Sequence, residues 1–359
     1  MDERRALMAA IIANPDDDTP RLVFADWLQE HGDEHDRARA EFIRLQVEAA
    51  RLPERDKKRK KLDIAAEKLA NEHHATWLAP LTAFVHQLST DPKLIGRSSY
   101  PELFERGLLR ELYVESAKFL QAKHQKVFPD ALAAVGLETL SFYTPATRVG
   151  KLPASPVFRW VARIGCPAVD DATLEAFGTS PHLAHISALE FTQVKISDSG
   201  LRAFAQTTRT SQLRKFAVTN QSPMRYTKPK FTATGILALL NSPRLPALTV
   251  LEVRGPTAEK FGTAEFFAAT SLAKLTELSL RVRVKLADVI ACPHLTNVRE
   301  LRLDDVDMTE GDADALLASP TFAKLTKQTL WTRDPLPRGF KKKLRARFGD
   351  DLWLRSEVS

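Results

Sequence analysis

Up to about residue 80 the apolar positions recur at helical intervals. Leu7, Ile11 and Ile12 form one group, Leu22, Val23, Phe24, Trp27 and Leu28 a second, and Ala38, Phe42, Leu45 and Ala49 a third. Leu62, Ala65, Ala66 and Leu69 form a fourth, with His73 on the same face. Pro15 with Asp16 to Asp18, then Gly32-Asp33, then PERDKKRKK separate these groups. Thr19-Pro20 predicts a helix start, with Thr as the capping acceptor and proline at the first helical position. The segment that follows is apolar around nearly its whole circumference, so it must be buried among other helices. Four helices with short connections predict a compact bundle over residues 1–80.

From about residue 106 the pattern becomes a strand phrase, apolar-x-x-apolar-x-apolar. It occurs as LLRELYV (108–114), LETLSF (137–142), VARIGC (161–166), ISALEF (186–191), LRKFAV (213–218), LTVLEV (248–253), LTELSL (275–280), VRELRL (298–303) and LTKQTL (325–330). The middle anchors run from Leu112 to Gln328 in eight steps, a mean period of 27 residues. Proline-apolar pairs (SPVF, SPHL, SPRL, CPHL, SPTF) precede many phrases, and helical segments such as DSGLRAFAQ, ATGILALLNS and DADALLAS follow them. A strand and a helix recurring every ~20–29 residues is the leucine-rich-repeat unit, which buries its apolar side only against neighbouring repeats. The expected fold is an α/β solenoid: an irregular ribonuclease-inhibitor-like leucine-rich-repeat horseshoe of about nine repeats over 81–332. An N-terminal α-helical module (1–80) precedes it, and a C-terminal helical cap (333–359), with Phe340, Leu344 and Phe348 before Gly349, follows it. The Asn or Cys that usually follows the strand and bridges turns is replaced by Val169, Val194 and Val306, and MRYTKPKF (224–231) is expected to bulge from one face.

TPRLVFADWLQEHGD followed by RAEFIRLQ is very similar to the repeat-companion domain, a short helical module at the amino end of many bacterial leucine-rich-repeat proteins. The match runs almost unbroken from Asp16 to Gln46, with Pro20, Arg21, Asp26, Trp27 and Phe42 as its structural residues. RGLLRELYV and the RFGD ending resemble the accompanying repeats. The resemblance implies architecture and no particular chemistry.

Charge changes this picture little. The net charge of +7 raises the question of nucleic acid. Residues 1–90, however, carry 17 acidic against 14 basic side chains, and residues 333–359 carry 8 basic against 4 acidic. The excess is thinly spread. Two cysteines, Cys166 and Cys292, exclude a disulfide framework and fit a reducing compartment. The amino-terminal residues, a short apolar run ending in Asn-Pro and three aspartates, are not expected to act as a signal peptide, and no apolar run reaches the ~18 residues of a membrane span. The expectation is a cytoplasmic, monomeric protein with no membrane association.

Candidate chemistry is sparse. His31-Gly32-Asp33-Glu34-His35 matches the H-x-x-E-H pattern of inverted zinc peptidases, but that chemistry needs a continuous helix, and Gly32-Asp33 predicts a turn. Asp26 reads as a structural carboxylate that accepts from a helix start or pairs with an arginine such as Arg21 or Arg44. His73-His74 and the pair His182 and His185 lack companions for a tetrahedral metal set. There is no Walker loop and no Gly-x-Ser-x-Gly elbow. No enzyme, metal or cofactor is expected.

The strand residues between the anchors should form a concave binding face: Glu111, Tyr113, Tyr143, Arg163, Glu190, Lys215, Glu252, Arg254, Glu277, Arg281, Glu300, Arg302, Asp304 and Trp331. With Glu115 and Lys327 this surface has seven acidic and six basic residues. A nucleic-acid groove needs clustered cations, so the mixed face suits a protein partner better. The expected function is a non-enzymatic protein-interaction scaffold. The alternative is nucleic-acid association through the basic patches at 57–61 and 341–347.

Overall fold

A computed structural model describes residues 3–88, 103–143, 148–219, 230–254, 261–309, 311–332, 338–349 and 352–356. The chain divides into two compact units: Met1–Pro167 with Pro181–Ser187, and Ala168–Ser180 with Ala188–Ser359. The pattern change at residue 80 does not coincide with the division between these units. The helical module and the first strands form one unit.

In the first unit, α1 (Glu3–Ala13), α2 (Thr19–His31), α3 (Glu34–Ala50) and α4 (Lys57–Leu88) correspond to the four helical segments, with α4 running past residue 80. α2 begins at Thr19 as expected, but Thr19 is not its cap. Asp17 accepts from the Thr19 amide at 2.8 Å, and Pro20 lies in the first turn. Gly32 ends α2, and Asp33 starts α3 by accepting from the Asp36 amide at 2.9 Å. The turn breaks the H-x-x-E-H segment and removes the single helical face that zinc chemistry requires. Met8, Ile11, Phe24, Leu28, Ile43 and Val47 share one apolar core with Leu108 from the first long strand. β1 (Phe104–Glu105) turns back antiparallel onto β2 (Leu108–Glu115), and β2, β3 (Leu137–Tyr143) and β4 (Val161–Pro167) are parallel neighbours. Leu112, Leu140 and Ile164 fall in register, as the anchors of the phrase require.

The second unit contains β5 (Ala188–Thr192), β6 (Lys215–Thr219), β7 (Val250–Arg254), β8 (Glu277–Lys285), β9 (Glu300–Asp307), β10 (Lys327–Thr332) and β11 (Leu352–Ser356). β5 to β11 are parallel to their neighbours, and helices alternate with them along the chain. The anchors Leu189, Phe216, Leu251, Leu278, Leu301 and Gln328 form one continuous row of register partners. Leu245, Leu295 and Phe322, which follow the prolines, are fully buried. The insertion at 224–231 lies outside the described residues apart from Lys230 and Phe231.

A ladder of carboxylates takes over the bridging between turns that the valines cannot perform. Asp171 accepts from the Ser197 amide (2.7 Å) and hydroxyl (2.6 Å), while the Ser197 hydroxyl accepts from the Gly200 amide. One turn later Asp198 accepts from the Thr232 amide (2.7 Å), the Thr232 hydroxyl (2.8 Å) and the Gly235 amide (3.1 Å). Each Asp sits at the start of one helix and holds the capping residue of the next, which satisfies orphan amides and places negative charge at a positive helix end. Gly235 is required by this approach: a Cβ there would lie 2.3 Å from an Asp198 oxygen.

The carboxyl end differs from a purely helical cap. The helix Phe340–Phe348 forms with Phe340, Leu344 and Phe348 buried, and Gly349 (φ 56°) ends it. The chain then adds β11 beside β10, with Gln328 opposite Leu352 and Thr332 opposite Ser356. The end thus repeats the helix-strand pattern.

Candidate functional site

Two polar assemblies stand out, one in each unit. In the first, Glu138 is fully buried on β3 and receives Arg21 at 2.5 Å, with Arg163 at 3.5 Å and Arg106 at 4.0 Å. Burial pushes the Glu138 carboxyl up and the Arg21 guanidinium down, opposed by their mutual attraction. Arg106 also donates to the Pro15 carbonyl at 2.7 Å and to Asp18 at 3.3 Å. The aspartates before α2 and Arg21 within it thereby tie the helical module to the β1–β2 turn and β3.

The rest of the motif behaves similarly. Gln46 accepts from the Gly107 amide at 2.7 Å and donates to the Phe104 carbonyl at 3.4 Å. Gly107 has φ 86°, and a Cβ on it would meet Ile43 at 2.2 Å. Arg39 donates to the carbonyls of Ala134 and Val135 at the end of helix Ala122–Val135, where the helix dipole favours a cation. Burial lowers the Arg39 guanidinium to about 10. Phe42 packs against Trp77 (5.0 Å) and Phe104 (5.3 Å). Asp26 pairs with Arg44 at 2.8 Å, one of its two expected arginine partners, and does so as an exposed carboxylate. Trp27 is only partly buried and stacks on His31 and Phe24. Arg21, Arg39 and Gln46 carry the motif's contacts to β3, to the end of helix Ala122–Val135 and to the β1–β2 turn.

Of the face residues in this unit, Tyr113 is exposed, Tyr143 is half-buried and Glu111 accepts from the Ser141 hydroxyl at 2.5 Å. Arg163 is directed to Glu138 and Asp16 rather than standing free.

In the second unit the strand residues form three rows by register. The first runs Lys215, Val250, Glu277, Glu300, Lys327, and the second runs Ala217, Glu252, Ser279, Arg302, Thr329. The third runs Thr219, Arg254, Arg281, Asp304, Trp331. The first row, the second row from Glu252 onward and Arg254 line a shallow concavity of about 210 Å³. Its charges pair sideways: Lys215 with Glu190 (2.6 Å) and Glu252 (3.7 Å), Arg254 with Glu252 (2.9 Å), and Lys327 with Glu300 (3.6 Å). Partial burial, then the neighbouring Glu300, raises the Glu277 carboxyl above its ordinary range. Asp304, expected on the open face, is instead buried, because Arg281 (3.7 Å) and Arg302 (3.4 Å) close over it. Arg281 in turn lies 5.3 Å over the Trp331 ring.

Sequence reasoning missed Glu138, Asp171 and Asp198. The latter two carried a readable signal, a Ser or Thr cap 26 or 34 residues after an Asp that begins the previous helix. Glu138 carried none, since it stands between two anchors like any other strand residue.

Cys166 and Cys292 are buried free thiols, and burial raises both above the ordinary thiol range. Among the described residues no group of three or more His, Cys, Asp or Glu could hold a metal ion. No helix among them is long and apolar enough to cross a membrane. The fold defines a class: parallel strands alternating with helices, led by a helical region. Neither family models nor curated proteins match the chain.

Proposed function

We propose that this chain is a non-enzymatic, cytoplasmic leucine-rich-repeat scaffold of bacterial type, with a repeat-companion module at its amino end, which binds a protein partner on the strand face of its second unit. The observation that carries this reading is the concavity crossed by β6 to β10, lined by side chains of both signs. Such a surface confers specificity through matched charges. The motif at Asp16–Gln46 has a different role on this reading, since Arg21, Arg39 and Gln46 are committed to contacts inside their own unit.

Nucleic-acid association through 57–61 and 341–347 is the weaker alternative. Lys58 is held by Glu48 (2.7 Å) and Lys343 by Asp314 (2.5 Å), while Arg347 donates to the Phe322 carbonyl. Partner capture from nuclease-treated lysate tests the choice. A defined protein retained by the wild type and lost from Glu252→Arg with Arg302→Glu is expected. Capture abolished by nuclease, with the charge-reversed chain otherwise unchanged, would reject the scaffold reading in favour of the basic patches.

A further inference from the structure

Neighbouring strands of the second unit place like charges directly opposite one another twice. Glu277 is the register partner of Glu300 in the first row, and Arg254 is the partner of Arg281 in the third. Like charges in direct opposition destabilise a sheet. The acidic pair spans β8 and β9 and the basic pair spans β7 and β8, so the two share β8, with opposite signs, four residues apart along the strand. At ~3.3 Å per residue the separation is about 13 Å. Sideways ion pairs relieve the clusters unevenly: Lys327 reaches Glu300 at 3.6 Å, Glu252 holds Arg254 at 2.9 Å, and Asp304 reaches Arg281 at 3.7 Å.

The concavity beside these pairs is about 210 Å³, below the roughly 300–1,000 Å³ of pockets that hold free small molecules. It suits side chains delivered by a polypeptide. In an extended segment, residues i and i+4 point to one side and span about the same 13 Å. The two charge pairs thus match the repeat of an extended chain laid along the strands.

We propose that the partner docks an extended segment along β7 to β9, presenting a basic side chain to Glu277 and Glu300 and an acidic side chain four residues away to Arg254 and Arg281. This rests on the scaffold reading and specifies the chemistry of its ligand. Arg281 is braced for the role by the Trp331 ring beneath it, which lets a planar guanidinium meet a carboxylate with two parallel donors.

Panning a random dodecapeptide library on the immobilised full-length protein tests this. Enriched peptides are expected to carry Lys or Arg and Asp or Glu four positions apart. Glu277→Lys with Glu300→Lys should weaken them at least tenfold and enrich sequences with acidic residues at both positions. Peptides lost on Glu252→Arg with Arg302→Glu but showing no such spacing would overturn this inference and leave the scaffold reading standing. Enrichment no greater than on a bare surface would overturn both.

Discussion

The two units use polar residues in opposite ways. In the first, Arg21, Arg39 and Glu138 are withdrawn from water and spent on holding helices to strands. In the second, Lys215, Glu252, Glu277, Glu300 and Arg302 stay at the surface of the sheet, where Lys215 pairs with Glu190 and Glu252, Glu300 with Lys327 and Arg302 with Asp304. A buried, hydrogen-bonded charge network fixes one arrangement and offers nothing to a ligand. A surface network of similar composition keeps its groups available. The most distinctive stretch of sequence is therefore committed to contacts inside its own unit, whereas the surface charges of the second unit come from residues that look ordinary one at a time.

The sharpest way to break this contrast is to remove one member of the buried network. Glu138→Ala leaves Arg21 without its carboxylate and is expected to cost about 3–5 kcal/mol, measured by urea unfolding. Arg21→Ala should cost a similar amount, and the double substitution clearly less than the sum, because the two groups form one interaction. Additive losses would show that the pair is not coupled. Gly107→Ala comes next, at about 1–3 kcal/mol, because it combines a positive φ with a clash against Ile43. It should shift the unfolding midpoint without altering the second unit's strand face.

The carboxylate ladder sharpens the comparison from the other side. Asp198→Ala removes the acceptor for Thr232 and Gly235 and is expected to cost about 1–2 kcal/mol. Gly235→Ala should destabilise the wild type and do less harm in the Asp198→Ala background, where the nearest atom it would strike is gone although Leu201 Cδ1 at 2.8 Å remains. Equal effects in the two backgrounds would remove Asp198 as the reason for that glycine.

The smallest effect belongs to the strand face. The folded Glu277 carboxyl is raised above 4.5, so this residue favours the folded state at low pH, and that stability is lost as pH rises through the raised value. Glu277→Gln should consequently be slightly more stable than wild type at neutral pH, by about 0.5 kcal/mol or less, and equal to it at pH 4. A substitution that destabilises at neutral pH would show that the carboxylate is a structural partner.

Periodicity made the elements legible. All nine strand phrases became strands, because an apolar anchor must face the core whatever its neighbours do. β1 and β11 escaped notice: β1 has two residues and forms only by folding back on β2, and β11 follows a helix that looked like an end. The face residues were legible as a set through strand alternation. Their individual states were not, because burial of Asp304 involves Arg281 from the next strand as well as Arg302 from its own, and redirection of Arg163 depends on Glu138 and on Asp16 in the loop before α2. Asp26 found one of its expected arginine partners, Arg44, but at the surface, because α2 turns it outward.

Carboxyl footprinting of the full chain, with and without the captured partner, tests the division of roles most directly. Bound partner is expected to suppress labelling of Glu252, Glu277 and Glu300 while Asp26, Glu30 and Glu41, exposed on the helical module, label as before. Protection of the helical module with unchanged labelling of the three strand glutamates would place the binding surface in the first unit and contradict the account.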